Sequence, residues 1–170
     1  MEIRDPDAVG GEQREPELAT SNVQTEVEEA FEGTDMDVDV TLVGIIMGSE
    51  SDREKMKKAE QALEEAEIRY EVNVMSAHRD PKRVAEYCES ARMRGLKVII
   101  AGAGLSAALP GFAAAHTDLP VVGVPLSGST LGGLDALLSA VQMPSGVPVA
   151  CVAIDGARNA GFLAVRIINA

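Results

Sequence analysis

The sequence predicts a three-layer α/β fold in which helices cover both faces of a doubly wound parallel sheet. Five short apolar stretches alternate with five stretches whose apolar residues fall at helical spacing, which is typical of parallel sheets. The apolar stretches hold very few polar residues, as strands buried on both faces do. With 170 residues the chain is long enough for one such domain and short for two, so we assign a single domain to residues 40–170.

The five strands are predicted from runs that are apolar and rich in Val and Ile. The first, TLVGIIMG, ends in a glycine before the next element begins. YEVNVMSA and KVIIAGAG are the second and third, and LPVVGVP and VPVACVAI are the fourth and fifth. Along the chain we expect strands at 41–48, 70–77, 97–104, 119–125 and 147–154.

The first helix follows the first strand and has an amphipathic pattern. Met56, Ala59, Leu63 and Ala66 fall on one face, and charged residues occupy the other positions. This pattern predicts a surface helix that covers one side of the sheet.

The second helix is predicted from the residues at its two ends. Asp80 is suited to the N-cap, Pro81 to the first helical position, and Gly95 to the end of the helix. The remaining helices are expected at about 106–116, 131–141 and 157–168.

The N-terminal segment differs from the rest of the chain in charge. Residues 1–40 hold 13 acidic and 2 basic residues, whereas residues 41–170 hold 14 acidic and 13 basic residues. A segment so acidic and so poor in large apolar side chains does not bury enough surface to offset its chain entropy. We expect residues 1–39 to be a disordered tail, with a transient helix near 25–31. The remaining domain is nearly neutral and can bind an anionic small molecule.

Composition argues against several classes of protein. The formal net charge of −12 leaves no excess of Lys and Arg to neutralise the phosphates of nucleic acid or an anionic membrane. Cys88 and Cys151 form no disulfide or zinc pattern, so we expect two reduced thiols. The acidic N-terminus contains no apolar secretory signal, and we expect a cytoplasmic protein. The uncharged stretch 98–117 contains three Gly and a Pro, which favours a strand, a turn and a buried helix over a membrane span.

Small residues and hydroxyls follow the first four strands, where doubly wound sheets bind their ligands. These turns are GSESD, SAHR, GAGLS and PLSGS. Small side chains let the backbone approach a ligand closely, and the helices that follow offer free N–H groups that suit phosphate. We therefore expect the functional site at this edge of the sheet.

Ser49 and Asp52, after the first strand, each have two interpretations. The Ser49 hydroxyl can donate to a phosphate or a ribose hydroxyl, and the Asp52 carboxylate can hold sugar hydroxyls. Capping of the first helix is the alternative role for both. Their spacing alone leaves both roles open.

His78 and Arg79, after the second strand, are the strongest candidates for chemistry. Arg offers a fork of donors that suits phosphate, and His changes protonation near neutral pH, as a general acid or base must. A surface His beside a structural Arg is the alternative. His116, the second His of the chain, lies at a predicted helix end, where contact with the helix dipole is expected.

Common nucleotide, metal and hydrolase motifs are absent from the sequence. GAGLSA lacks the third glycine of the dinucleotide fingerprint, and the chain contains no GxxxxGK[ST] loop. It also contains no cluster of His, Cys and carboxylates at metal spacing and no G-x-S-x-G string.

Six strings carry a resemblance to a known family: MGSESD, SAHRDP, VIIAGAGLSAALPG, LPVVGVP, GGLDALLSAVQMPSGVPV and ARNAGFLA. Through them, residues 41–168 resemble the 5-(carboxyamino)imidazole ribonucleotide mutase family of purine biosynthesis. A close relative of that family is aminoimidazole ribonucleotide carboxylase. Any one string alone is weak, but several in the same order make the resemblance specific.

The resemblance implies a flavodoxin-like fold, a homo-octamer with composite active sites, and neither a metal nor an organic cofactor. The implied reaction, in IMP biosynthesis, moves a carboxylate from the exocyclic nitrogen of a phosphoribosyl-aminoimidazole to the ring carbon. His78 matches the family's catalytic histidine, and Ser49, Asp52 and Arg79 match positions that bind the phosphoribosyl part. The strings that line the family's pocket also contain Ser76, Ala77, Gly102, Ala103, Gly104 and Leu109.

One position departs from the family pattern. Bacterial members usually have His in the string A-H-L-P-G, where this chain has Ala108. The departure leaves open a lyase that carboxylates aminoimidazole ribonucleotide directly, and it leaves open His116 as a substitute for the missing side chain. A non-catalytic nucleotide-binding paralogue is a third alternative, against which the intact SAHR string argues.

Overall fold

Residues 40–170 are described by a computed structural model of the chain. The disordered tail and the transient helix predicted for residues 1–39 lie outside the described residues. The domain boundary at residue 40 therefore stays a prediction.

Five strands pair in parallel to form one sheet. Their order is β2-β1-β3-β4-β5, so the chain builds first on one side of β1 and then reverses to build the other side. This reversal confirms the predicted doubly wound, flavodoxin-like fold. The strands are β1 (Val43–Met47), β2 (Tyr70–Val74), β3 (Val98–Ala103), β4 (Val121–Pro125) and β5 (Ala150–Cys151).

A helix follows each strand, as the alternating pattern predicts. The helices are α1 (Arg53–Glu65), α2 (Pro81–Ala91), α3 (Ala108–Ala115), α4 (Leu134–Val141) and α5 (Ala157–Ile168), and a 3₁₀ turn (Glu50–Asp52) precedes α1. The N-cap of α2 is the predicted one, since Asp80 Oδ1 accepts the amide of Arg83 at 3.3 Å. Within residues 40–170, no helix has the length and apolar character needed to cross a membrane.

Alternate residues of the strands point into two separate apolar layers. On one face, Val43, Ile45 and Met47 of β1 pack with α1 and α5. On the other face, Ile46 belongs to the cluster that contains residues of α2, α3 and α4. The strands β1, β3 and β4 are buried along their whole length, which explains their almost wholly apolar sequences.

The fifth strand is much shorter than predicted. β5 spans Ala150–Cys151 instead of 147–154. Pro148, which has no N–H to donate to the sheet, comes before it, and Asp155, after it, has a left-handed φ of 57°. The apolar run is therefore interrupted at both ends by the backbone, which an apolar pattern alone does not reveal.

Two helices begin later than predicted, also for backbone reasons. Leu105 has a φ of 55°, and α3 begins only at Ala108. Gly132 and Gly133 have φ values of 60° and 94°, and α4 begins only at Leu134. Left-handed residues cannot be part of a right-handed helix, so each helix starts after them.

Helix α5 packs against α1 through small residues. A Cβ built on Gly161 of α5 would lie 2.7 Å from Ala62 Cβ and 2.8 Å from the carbonyl oxygen of Ala59, both on α1. Such distances are too short for a side chain, so glycine allows this approach of the two helices. The contact fixes α1, whose first residues lie at the carboxyl end of the sheet.

We expect Gly161→Val to destabilise the fold by about 1–3 kcal/mol, because the added methyl groups overlap α1. Urea unfolding followed by circular dichroism measures the change. Asn159→Val, on the exposed side of the same helix, is the matched control for the helix propensity of Val. Equal stability of the two variants would show that the packing of α1 on α5 is not this tight.

Candidate active site

The carboxyl ends of β1, β2, β3 and β4 open into one cavity of about 850 Å³. Hydrogen bonds extend the sheet into the turns: Met75 N donates to Met47 O at 2.8 Å, and Leu126 N donates to Ala103 O at 2.9 Å. The cavity therefore lies where the strand order reverses, as expected for this fold. Its walls are formed by Gly48, Ser49, Ser51, Asp52, Lys55, Ser76, Ala77, His78, Arg79, Ala103, Gly104, Leu105, Ser106, Ala107, Ala108, Leu109, Ser127 and Gly128.

All but one of the residues predicted for the site lie on the cavity wall. Those brought together are Ser49, Asp52, Ser76, Ala77, His78, Arg79, Ala103, Gly104 and Leu109. The exception is Gly102, which lies within β3 on the side that faces α1. A Cβ at Gly102 would collide with the sulfur of Met56, so the structure places this residue under the α1 layer and not on the wall.

The hydrogen bonds in the turn after β1 show whether Ser49 and Asp52 cap the helix or are available to a ligand. Ser49 caps the 3₁₀ turn, since its Oγ accepts the Ser51 amide at 3.3 Å and the Ser51 hydroxyl at 2.9 Å. Asp52 lies at the N-cap of α1 but makes no capping hydrogen bond with its side chain. The Asp52 carboxylate is therefore not used by the helix and is available on the cavity wall.

The surroundings of Asp52 disfavour the ionised form of its carboxyl, and we call this effect electrostatic strain. Partial burial raises the pKa of its carboxyl above the ordinary value of 3.8, although a Ser49 amide, Lys55 and Arg79 act in the opposite direction. The loss of hydration therefore outweighs the nearby positive charges. The hydroxyl groups of a ligand could donate hydrogen bonds to this carboxylate in place of the water that burial removes.

The turn after β2 is held by the backbone and presents His78 to the cavity. Asp80 N donates to Ser76 O at 2.8 Å, and Arg79 N donates to Ser76 Oγ at 3.4 Å. The Arg79 guanidinium donates to Gly48 O at 2.5 Å, which ties this turn to the one after β1. His78 is exposed, and its ring makes no hydrogen bond with any side chain or backbone group of residues 40–170. Its imidazole is therefore available to contact a ligand in the cavity.

The turn after β3 supplies backbone donors. Ala107 N bonds to Leu105 O at 2.9 Å, and α3 then begins at Ala108 without a side-chain cap. The first N–H groups of a helix have no partner within the helix, so those of Ala108 and Leu109 can bind an anion. Both residues lie on the cavity wall.

Three residues that complete this region were not among the predicted site residues. Lys55 and Ser127 line the cavity, and Asp155 contacts both of them from the segment before α5. Lys55 follows Asp52 by one helical turn, so the i, i+3 spacing is the sequence feature that could have indicated it. No comparable local pattern points to Asp155, which is remote in the chain.

Asp155 forms an ion pair with Lys55 at 3.1 Å. Burial by itself would raise the pKa of the Asp155 carboxyl, but hydrogen bonds from Ser127 and Lys55 lower it on balance. Asp155 is therefore ionised down to a lower pH than an ordinary Asp, and the ion pair persists through the neutral range.

His116 does not replace the missing histidine at position 108 within the described part of the chain. It lies at the C-terminal end of α3, whereas Ala108 begins that helix. Its Nδ1 is 2.9 Å from Phe112 O, and its ring stacks on the Phe112 ring at 4.3 Å. In residues 40–170, no three His, Cys, Asp or Glu side chains come together as metal ligands would.

A family model and individual relatives point to the same family for this chain. The family model described as AIR carboxylase matches residues 42–170. The chain is 59% identical over 128 residues to the N5-carboxyaminoimidazole ribonucleotide mutase of Pyrococcus horikoshii, covering 75% of this chain and 72% of that protein. It is 59% identical over 131 residues to the mutase of Bacillus subtilis, covering 76% of this chain and 81% of that one.

A fungal relative carries a different name. The phosphoribosylaminoimidazole carboxylase of Schizosaccharomyces pombe is 58% identical over 131 residues, and the match covers 77% of this chain but 24% of that protein. Among solved structures, PurE of Treponema denticola superposes with a TM-score of 0.68 at 32% identity, covering 75% of this chain and 80% of that one. The family model and these identities agree, and the chain belongs to the AIR carboxylase family.

Proposed function

We propose that this chain is an N5-carboxyaminoimidazole ribonucleotide mutase, an isomerase of purine biosynthesis. It would move the carboxylate of its substrate from the exocyclic nitrogen to the adjacent ring carbon. The observation that carries this proposal is the position of the His78 imidazole, which has no hydrogen-bond partner within residues 40–170. It lines the same cavity as Arg79 and Asp52. The 59% identity to proteins named as this mutase supports it.

The phosphoribosyl part of the substrate is anionic at one end and rich in hydroxyls at the other. The Arg79 guanidinium and the Ser49 hydroxyl would hold the phosphate, because charged and neutral donors both suit its oxygens. The Asp52 carboxylate would accept hydrogen bonds from the ribose hydroxyls. This assignment places the two donors, Arg79 and Ser49, on the phosphate and the one acceptor, Asp52, on the ribose.

The carboxylate transfer would proceed in two steps within the cavity. The carbamate N–C bond first breaks, releasing carbon dioxide and leaving the nitrogen to take a proton. The ring carbon then attacks the trapped carbon dioxide, and the proton on that carbon must leave. His78 would carry the proton between nitrogen and carbon, so no net proton is gained or lost.

Confinement and backbone donors would favour the second step. Holding carbon dioxide beside the ring makes its capture effectively unimolecular. The free N–H groups of Ala108 and Leu109 at the start of α3 would stabilise the migrating carboxylate. Small side chains in this turn leave the backbone accessible to the reacting group.

A direct carboxylase is the second candidate. Ala108 lies on the cavity wall and carries no ionisable group at the position where bacterial members of the family usually have His. Fungal relatives named phosphoribosylaminoimidazole carboxylase are 57–58% identical over the matched region. Such an enzyme would use free carbon dioxide and not the carbamate.

Label retention distinguishes these two reactions. We expect the enzyme, given a carbamate substrate labelled with ¹³C in unlabelled bicarbonate, to form ring-carboxylated nucleotide that keeps the label, as measured by mass spectrometry. Loss of the label to the bicarbonate pool would favour the direct carboxylase. Nucleotide binding without any product would favour the non-catalytic paralogue and contradict both reactions.

Replacement of His78 should separate binding from chemistry. We expect His78→Asn to lower kcat by about 10²–10⁴-fold, because general acid–base catalysis contributes that much, while nucleotide binding by calorimetry stays near wild type. His116→Asn is the matched control and should retain full activity, since His116 lies at the far end of α3. Retention of most activity in His78→Asn would contradict the assigned proton transfer.

Asp52→Asn should stabilise the fold while it weakens substrate binding. Because the folded-state pKa of Asp52 is raised, its ionised form costs stability above that pKa, and the cost disappears well below the ordinary value of 3.8. We therefore expect a higher Tm at pH 7, the same Tm as wild type in strong acid, and a higher KM.

Asp118→Asn is a control for Asp52→Asn with the opposite sign. A hydrogen bond from Arg92 lowers the pKa of the exposed Asp118 carboxyl, so its replacement should lower the Tm at pH 7. An Asp52→Asn variant that is less stable than wild type at pH 7 would contradict the electrostatic strain assigned to this carboxylate.

We also propose that the enzyme acts in the cytoplasm as a homo-octamer. Support for assembly comes from α4 and the turn before it, which carry a row of half-exposed apolar side chains. These are Leu131, Leu134, Leu138 and Val141, at 48–63% exposure. An apolar row of this kind is more typical of a subunit contact than of a surface in water.

A further inference from the structure

The Lys55 ammonium has no donor left for a ligand. An ammonium group has three N–H donors, and three protein acceptors lie within reach of Nζ. Ser127 O is at 2.6 Å, Ser127 Oγ at 2.5 Å and Asp155 Oδ1 at 3.1 Å. Although Lys55 lines the cavity, its hydrogen-bonding capacity is used within the protein.

Ser127 is held through every polar atom it has. Its amide donates to Asp155 Oδ1 at 2.9 Å and its hydroxyl donates to Asp155 Oδ2 at 2.5 Å, while its carbonyl and hydroxyl oxygens accept from Lys55. A side chain and peptide unit held in this way have one orientation only. The sheet hydrogen bonds end at Leu126, so the orientation of Ser127 itself is set by Lys55 and Asp155.

The segment that follows Ser127 needs such an anchor. Gly128, on the cavity wall, has a φ of 141°, and Gly132 and Gly133 are left-handed as well. Glycines allow many backbone conformations, so the segment 128–133 has little intrinsic preference for the observed one. The contacts of Ser127 therefore determine where this wall of the cavity begins.

Asp155 is aimed at Ser127 by a strained backbone. Its φ is 57°, a left-handed conformation that few residues other than glycine adopt. Its amide donates to Pro125 O at 2.8 Å. Strained residues of this kind persist where the surrounding structure requires them, often at functional sites. Here the strain directs the carboxylate to the serine and to Lys55.

We propose that Lys55, Ser127 and Asp155 form a clamp that positions the Ser127–Gly128 wall of the cavity against the bound nucleotide. Lys55 and Asp155 are positioning residues, because they act through Ser127 and not on the reacting atoms. This inference rests on the mutase function proposed above. Its alternative is that Lys55 merely attracts the anionic substrate by its charge.

Two substitutions with opposite effects on charge distinguish the clamp from simple attraction. Lys55→Met removes a positive charge, and Asp155→Asn removes a negative charge while keeping a side chain that tolerates a left-handed φ. If Lys55 only attracts the anion, Lys55→Met raises KM and Asp155→Asn lowers it. If the clamp positions the wall, both variants raise KM.

We expect kcat/KM to fall about 10- to 100-fold in both variants, mainly through KM, since a displacement of about 1 Å in a binding wall has effects of this size. The kcat/KM of the double variant should be no lower than that of the more impaired single variant, because the two residues act as a unit. Lys58→Met, an exposed lysine on the same helix, is the control and should keep wild-type kinetics. An Asp155→Asn variant with unchanged or lower KM would overturn the clamp.

Hydrogen exchange tests the clamp independently of the reaction. We expect the amide of Ser127, which donates to Asp155 Oδ1, to exchange faster in Lys55→Met than in Lys58→Met, while the amides of β1 and β3 keep wild-type protection. Unchanged exchange at Ser127 would overturn the clamp even in an active enzyme. If the wild-type chain shows no mutase activity, the proposed function fails, and faster exchange at Ser127 still supports the clamp.

Discussion

The pairing of β1 with β2 on one side and with β3 on the other is the constraint on which the site depends. The register places Met47 beside Val74 and beside Gly102, so three parallel strands end at the same level. Their turns therefore leave the sheet together and enclose one space. A shift of one residue in either pairing would turn every side chain of that strand to the other face. The packing that fixes the register consequently also fixes the distance between the turn that carries His78 and the turn that carries Asp52.

The site is built largely from backbone and small side chains, with few ionisable groups. The turns after β1 and β2 are joined by the Arg79 guanidinium on Gly48 O, and the start of α3 contributes N–H groups without a side-chain cap. Such donors are fixed by the fold and need no reorganisation when charge develops on a ligand. To these donors the cavity adds one imidazole, that of His78, which has no hydrogen-bond partner within residues 40–170.

The sequence predicted those parts of the structure that depend on one element at a time. Apolar runs predicted the strands, and the turns that follow them contained His78, Arg79 and most of the cavity wall. The Lys55–Ser127 contact joins residues 72 positions apart, and Ser127 and Asp155 are 28 positions apart, so no local pattern reveals them. Gly102 was assigned to the site because it shares a string with wall residues. Gly102 still lies within β3, where Met56 of α1 covers it, and the string alone does not show where the strand ends.

The electrostatics of Asp52 indicate what kind of ligand this cavity suits. Burial raises the pKa of the carboxyl even though Lys55 and Arg79 are close enough to oppose the shift. Lys55 has all three donors engaged by Ser127 and Asp155, and Arg79 donates to Gly48, so neither cation is fully available to the carboxylate. A purely anionic ligand would add repulsion at Asp52. A ligand that combines hydroxyl donors near Asp52 with an anionic group near Arg79 would satisfy both residues at once. A phosphorylated ribose has this arrangement, and the same reasoning disfavours a simple dicarboxylate in the cavity.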